Sequence, residues 1–180
     1  MNPNFIIDKY YPSEDDLRRI LLVHSRQVAD RSLAIVDAHP ELHLDRRFVE
    51  EAAMLHDIGI RWCSAPGICC HGTEPYICHG MIGADLLRRE GLPRHALVCE
   101  RHTGTGISRE QIDKQHLPLP PDRTYEPQTM EEQLICYADK FFSKSHLDRV
   151  LTVEQTAASL SRFGEAGVER FLGWARLFAL

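Results

Sequence analysis

The sequence predicts an all-α bundle in a single domain, and three observations carry that expectation. Apolar residues recur at three- and four-residue intervals along most of the chain, capping signals precede those runs, and no strand-length alternation is bounded by turns. A chain of 180 residues is about one domain long and can bury roughly 70% of its unfolded surface, so it needs no staples to fold.

The elements follow in order. Ser13 with Asp16 reads as a capping box for a first helix carrying Leu17, Ile20, Leu21, Val28, Leu33 and Val36, and Glu14, Asp15 and Asp16 suit its positive end. His39-Pro40 ends it, because proline disfavours helix in the residue before it. Asp45 caps a second helix with Phe48, Val49, Ala52, Ala53 and Leu55, stopping at Gly59. An irregular loop over 60–75 leads to a third helix that ends near Glu90, ahead of Gly91. Pro93 at N1 opens a fourth, closing near Thr103-Gly-Thr-Gly. Ser108 with Gln111 caps a brief helix, which Leu117-Pro-Leu-Pro-Pro-Asp stops. Thr129 with Glu132 caps a helix through about Ser143; Thr152 with Gln155 caps another, and Gly164 separates it from a last helix to Phe178. One domain over 1–180 is expected, with a chemical core over 24–139 and C-terminal helices over 152–178 packing on the bundle. The last helix sets Val168, Phe171, Leu172, Ala175 and Phe178 on one face, with a homodimer contact as the alternative to bundle packing. Glu165 and Glu169 argue against a membrane-surface helix.

Composition narrows the function. Apolar residues at 43% and charged residues at 26% exclude a disordered or low-complexity chain. Lys and Arg total 21 against 26 Asp and Glu, a net charge of −5, which argues against a surface that grips nucleic-acid phosphates. A local site can still invert that sign for a small phosphorylated substrate. The start, Met1–Asp8, lacks a basic n-region and no long apolar run follows, so a cytoplasmic protein without membrane contact is expected. Of six cysteines, Cys63, Cys69, Cys70 and Cys78 cluster, but no C-x2–4-C pair exists; they read as free thiols rather than a zinc site.

The histidines carry the chemistry. His56 and Asp57 follow Ala52-Ala-Met-Leu, so an imidazole and a carboxylate lie against a core, where an unpaired carboxylate is costly. Metal coordination resolves this for both: adjacent helical side chains diverge by about 100°, so His56 binds one ion while Asp57 offers an oxygen to each of two. A helix-end His–Asp pair can also make hydrogen bonds alone. The wider order, His24, His56-Asp57, His79, His102 and Asp139, places candidates on successive helices, as helical bundles do when they build metal sites from inward ligands.

This ordered set resembles that of the HD superfamily of metal-dependent phosphohydrolases in its HDIG variant, His56-Asp57-Ile58-Gly59. Arg101-His-Thr-Gly-Thr-Gly-Ile and Met130-Glu-Glu-Gln-Leu-Ile-Cys-Tyr-Ala-Asp-Lys are similar to bacterial and archaeal HDIG proteins, and His-Thr-x-Gly also to HD hydrolases that split diadenosine tetraphosphate. The resemblance implies an HD-type bundle with a metal site between its helices. It implies that His24, His56, Asp57 and Asp139 hold one ion and that His79 and His102 accompany a second. Imidazole and carboxylate donors suit Fe, Mn, Co, Ni or Zn. Ile60 stands where HD-class cyclic-dinucleotide phosphodiesterases usually have lysine, and their paired histidines and Gly-Tyr-Pro are missing, which separates the chain from that class.

The implied reaction is hydrolysis of a small phosphate ester or anhydride, a nucleotide in type, by in-line attack of a metal-bridging hydroxide, with Asp57 and His56 catalytic. Two divalent ions against two carboxylates leave a site near +2 that attracts phosphate. Ser143 is expected one helical turn beyond Asp139, on the same face, as a substrate contact. Lys140, Lys144, Arg61 and Thr103, with the amides of its glycine loop, are the other candidates, although each also reads as an ordinary solvated or helix-ending residue. The alternatives are an HD-type diiron oxygenase and a non-catalytic metal-binding regulatory module.

Overall fold

Local capping chemistry sets most helix starts in the computed structural model, which describes residues 1–180. The helices are α1 Pro3–Tyr10, α2 Asp16–Ala38, α3 Arg46–Leu55, α4 His79–Arg89, α5 Pro93–Arg101, α6 Arg109–Gln115, α7 Met130–Asp139, α8 Val153–Leu160 and α9 Glu165–Leu177. Asp45 accepts from the Phe48 amide and Thr129 from the Glu132 amide, while Ser108–Gln111 and Thr152–Gln155 form complete capping boxes. The fold is all-α, as expected.

One helix was not expected, and three expectations are corrected. The helix α1 is too short to show a periodicity; it starts because Asn2 caps the Asn4 amide and Pro3 sits in the first turn. Asp15, not Ser13, caps α2, accepting from the Arg18 amide. The helix α3 ends at Leu55 rather than Gly59, and His56-Asp57-Ile58-Gly59 continues as tight turns, with Ile58 N bonded to Leu55 O and Ile60 N to Asp57 O. The helix α7 ends at Asp139 rather than Ser143, and the chain enters a short hairpin, β3 Phe142–Ser143 with β4 His146–Val150. There the hairpin pairing and the preference of consecutive aromatics for extended backbone override continued helix. A second small ladder, β1 Ser64–Ala65 with β2 Cys70–His71, ties the 60–75 loop.

Packing brings helix ends together. The helix α2 lies on α3 and α7, and α4 lies along α5. Gly59 and Gly80 permit the closest approaches: a Cβ on Gly59 would fall 2.1 Å from His79 O, and one on Gly80 would fall 2.5 Å from Cys99 O. These contacts seat the start of α4 against both the turn after α3 and the end of α5. On the far side of α7, Tyr137 and Phe141 meet Phe171 and Phe178 around α9, with ring centroids 4.9–5.7 Å apart. Trp174, absent from the expected apolar face, is buried there too and donates to Gln133 Oε1.

Gly59→Ala is expected to destabilise the protein by about 1–3 kcal/mol or more through overpacking against backbone that cannot yield. Gly67→Ala, where a Cβ meets nothing within 4 Å, should stay within about 0.5 kcal/mol. Urea unfolding of both variants checks the contrast, and equal losses would refute the close-packing account.

Candidate metal centre

The six expected residues converge from five directions. His24 comes from the middle of α2, His56 and Asp57 from the turn after α3, His79 from the first residue of α4, His102 from the cap of α5 and Asp139 from the last residue of α7. All six are buried, with exposures between 0% and 7%. Two groups of donor atoms form, each within 4.8 Å: His24, His56, Asp57 and Asp139, and Asp57, His79 and His102. Asp57 belongs to both. Its Oδ2 lies 3.3 Å from His24 Nε2 and 3.1 Å from His56 Nε2, and its Oδ1 lies 3.4 Å from both His79 Nε2 and His102 Nε2. Asp57, in the turn after α3, thus faces the same centre as His56.

The donors are oriented for a cation. His56, His79 and His102 each donate Nδ1–H to the carbonyl three residues earlier, Ala53, Tyr76 and Cys99, at 2.6–2.7 Å. That bond points each Nε2 inward, and His79 and His102, held neutral, present their lone pairs there. His79 Nε2 and His102 Nε2 then face each other at 3.1 Å, an arrangement of two acceptors that calls for a cation. His24 Nε2, His56 Nε2 and both Asp57 oxygens likewise approach one another without hydrogen-bond geometry. A buried donor set of imidazoles and carboxylates with unspent lone pairs can hold a divalent metal.

Charge is arranged to match. Burial, reinforced by His102, lowers His79 to about 3, and burial lowers His102 too, so both imidazoles are held neutral. Burial opposes a charge on His56, but the adjacent Asp57 and Asp139 override it and raise this group to about 9. Burial also opposes ionised carboxylates, yet Lys144 and His56 hold Asp57 well below the usual range, and Lys140 and His24 do the same for Asp139. Lys144 in turn is held well above the usual lysine range, because the Asp57 carboxylate outweighs its desolvation.

The expected substrate contacts separate in space. Lys144 Nζ lies 2.6 Å from Asp57 Oδ2. Lys140 Nζ pairs with Asp139 Oδ2 at 2.7 Å and donates to His102 O at 3.1 Å, so its charge is spent inside the centre. Ser143 is not on the Asp139 helical face, since α7 ends first; its hydroxyl accepts from the Ser145 amide within the hairpin. Arg61 lines another cavity, of about 460 Å³, with Asp15, Asp16, Cys69 and His71, none of which belongs to the cluster. Thr103 follows His102, but its loop folds on itself, with Gly106 N bonded to Thr103 O and Ile107 N to Tyr125 O. All six cysteines are free thiols, and none joins either donor group.

Sequence reasoning missed two supports. Tyr76 stacks on His79, centroids 4.6 Å apart, while its carbonyl orients that ring. Its position three residues before a candidate histidine was the available signal. Buried Glu132 pairs with Arg101 at 3.0 Å and, with Cys136 Sγ on His102 O, ties α7 to the end of α5. No sequence signal marked that pair, because its partners lie on different helices.

Comparison with known proteins adds the lineage. The family described as HD domain matches residues 21–143. An archaeal protein of Picrophilus torridus named tRNA (cytidine(56)-2'-O)-methyltransferase is 31% identical over 157 residues, covering 82% of this chain and 40% of that protein. Its namesake in Thermoplasma volcanium is 34% identical over 152 residues, covering 83% and 39%. An uncharacterized protein of Methanocaldococcus jannaschii is 35% identical over 125 residues, covering 64% and 66%. The chain thus spans only about two-fifths of the two methyltransferases. Among solved structures, the HD domain of the L. monocytogenes phosphodiesterase PgpH superposes with a TM-score of 0.52 at 16% identity, over 94% of this chain and 93% of that one. Its complex with cyclic-di-AMP gives 0.54 at 16% identity, over 95% and 92%. At that identity the likeness is one of fold.

The Lys140 geometry generates a stability prediction. Lys140→Ala leaves the buried Asp139 carboxylate without its ammonium and is expected to cost about 3 kcal/mol. Arg61→Ala loses mainly a contact over the Tyr11 ring and should cost under about 1 kcal/mol. Urea unfolding of both variants decides; a Lys140 loss no larger than that of Arg61 would show that this ammonium is not a clamp.

Proposed function

The chain belongs to the HD domain family, and from that premise we propose that it is a metal-dependent phosphohydrolase acting on a small phosphate ester or anhydride, a nucleotide in type. The observation that supports this most is the division of Asp57, with Oδ2 toward His24 and His56 and Oδ1 toward His79 and His102. One carboxylate serves two donor groups, the arrangement a bridging ligand needs. In this reading His24, His56, Asp57 and Asp139 hold one divalent ion of the Fe, Mn, Co, Ni or Zn type, and Asp57, His79 and His102 hold a second. Such ions, when bound, polarise a phosphoryl oxygen and bring the pKa of a water toward neutrality.

The chain's own residues supply the rest. Carbonyl bonds at Nδ1 fix three imidazoles so that no reorientation is needed when substrate arrives. Near-complete burial excludes bulk water, which strengthens each charge interaction in the site. Lys140 holds Asp139 in place, and Lys144, at the partly exposed edge, supplies an ammonium for a phosphoryl oxygen. The cyclic-di-AMP bound by one fold neighbour supports trying nucleotide phosphoesters first, and the names of the two archaeal relatives bring tRNA into the same test. The reading assigns phosphoester or phosphoanhydride cleavage, rather than methyl transfer, to this centre, on the strength of the HD family match and the metal-capable donor groups.

Metal analysis tests the two-ion arrangement. His79→Ala and His102→Ala are expected to retain about one ion per chain and lose most turnover, while Asp57→Asn impairs both sites. Equal metal content in the wild type and both histidine variants would sink the dinuclear reading. Activity is tested on mononucleotides, cyclic nucleotides and dinucleotides, dinucleoside polyphosphates and tRNA with Mn, Fe(II), Co, Ni and Mg. Release of phosphate or nucleotide that disappears in Asp57→Asn is the expected result. Substrate-dependent oxygen uptake by the anaerobically iron-loaded protein, with no hydrolysis, would replace hydrolase with oxygenase.

A further inference from the structure

The two ammonium groups of the centre are held differently. Lys140 follows directly on α7 and has two anchors, Asp139 Oδ2 and the His102 carbonyl. Lys144 sits in the turn between β3 and β4, where the paired strand on its N-terminal side is only two residues long. Its ammonium pairs with Asp57 Oδ2, and the Tyr76 phenol and the Asp139 carboxylate also act on it. The hairpin is tied to α2 through the Leu147 carbonyl, which accepts from Gln27, while His146, Asp148 and Arg149 beyond it are exposed. Lys144 thus sits on a short turn next to exposed residues, whereas Lys140 is continuous with α7.

Lys144 also occupies a contested position. Asp57 Oδ2 is the oxygen that faces His24 and His56, at 3.3 and 3.1 Å, and the ammonium is nearer to it than either, at 2.6 Å. An ammonium and a divalent ion sharing one buried oxygen would repel strongly in a medium of low dielectric. We propose that Lys144 is a built-in competitor for the divalent ion at the His24–His56–Asp57–Asp139 group, a hairpin-borne ammonium that leaves Asp57 when the ion binds and then meets a phosphoryl oxygen. This rests on the metal-dependent reading above. The exchange moves no proton, since the lysine is an ammonium before and after. It also keeps the fully buried Asp57 compensated at each stage, first by the lysine and then by the ion.

The test uses the full chain and two readouts other than turnover. Acetylation by an N-hydroxysuccinimide ester, followed by mass spectrometry, compares Lys144 and Lys140 without metal and with saturating Mn2+. The two side chains start almost equally covered, 14% and 12% exposed, so Lys140 is an internal control. Lys144 labelling is expected to rise several-fold with Mn2+ while Lys140 stays constant. Lys144→Met, with Lys144→Gln as the second variant and circular dichroism to verify folding, should bind Mn2+ roughly tenfold more tightly, about 1.4 kcal/mol. The same variants, loaded with Mn2+, should bind inorganic phosphate more weakly. Labelling of Lys144 that stays flat, or Mn2+ affinity that is unchanged or weaker in the folded variants, overturns the competitor while leaving the metal centre standing. Absence of Mn2+ binding in the wild type and both variants overturns the metal reading and this inference with it.

Discussion

Asp57 is buried and held ionised, and an uncompensated charge in such a place costs several kcal/mol, so the elements around it must deliver donors or cations to one point. The chain meets this constraint with segment ends. The turn after α3, the first residue of α4, the cap of α5 and the last residue of α7 all meet there, and only His24 comes from a helix interior. Ends suit the task because the chain changes direction at them, so neighbouring residues can be aimed independently. His56 and Asp57 illustrate this: adjacent in the turn after α3, they place His56 Nε2 and Asp57 Oδ2 3.1 Å apart.

The remainder of the fold holds those ends in register. Gly59 and Gly80 give α4 its close seat. Arg101–Glu132, Cys136 and Lys140 bind the end of α5 to α7, so His102 and Asp139 are positioned by one shared interface. The aromatic contacts of α9 with Tyr137 and Phe141 brace the opposite side of α7. Dense packing of this kind transmits small displacements, so substitutions well away from the centre can disturb its geometry.

Electrostatically the centre departs from the chain as a whole. The protein carries a net charge of −5, yet two lysines are drawn to two buried carboxylates, and two imidazoles are kept neutral beside them. An acidic chain thus encloses a centre whose carboxylates and neutral imidazoles can hold cations.

Much of this was legible in the sequence by itself. Asp45, Ser108, Thr129 and Thr152 marked helix starts because a cap acts on amides two or three residues away, an interaction contained in the local sequence. The order His24, His56-Asp57, His79, His102, Asp139 picked out residues that the structure gathers into two groups able to hold a metal ion, because the ordered set, rather than any one residue, carries the signal. Tertiary structure decided the rest. It determined that α7 stops at Asp139 and that a hairpin carries Ser143 away and Lys144 back, since backbone pairing with β4 competes with helix there. It sent Arg61 to another cavity, anchored Lys140 on Asp139 and the His102 carbonyl, and set Lys144 against Asp57. Above all it determined which oxygen of Asp57 faces which imidazole, because that depends on the packing of helices far apart in the sequence, and no local pattern encodes such an approach.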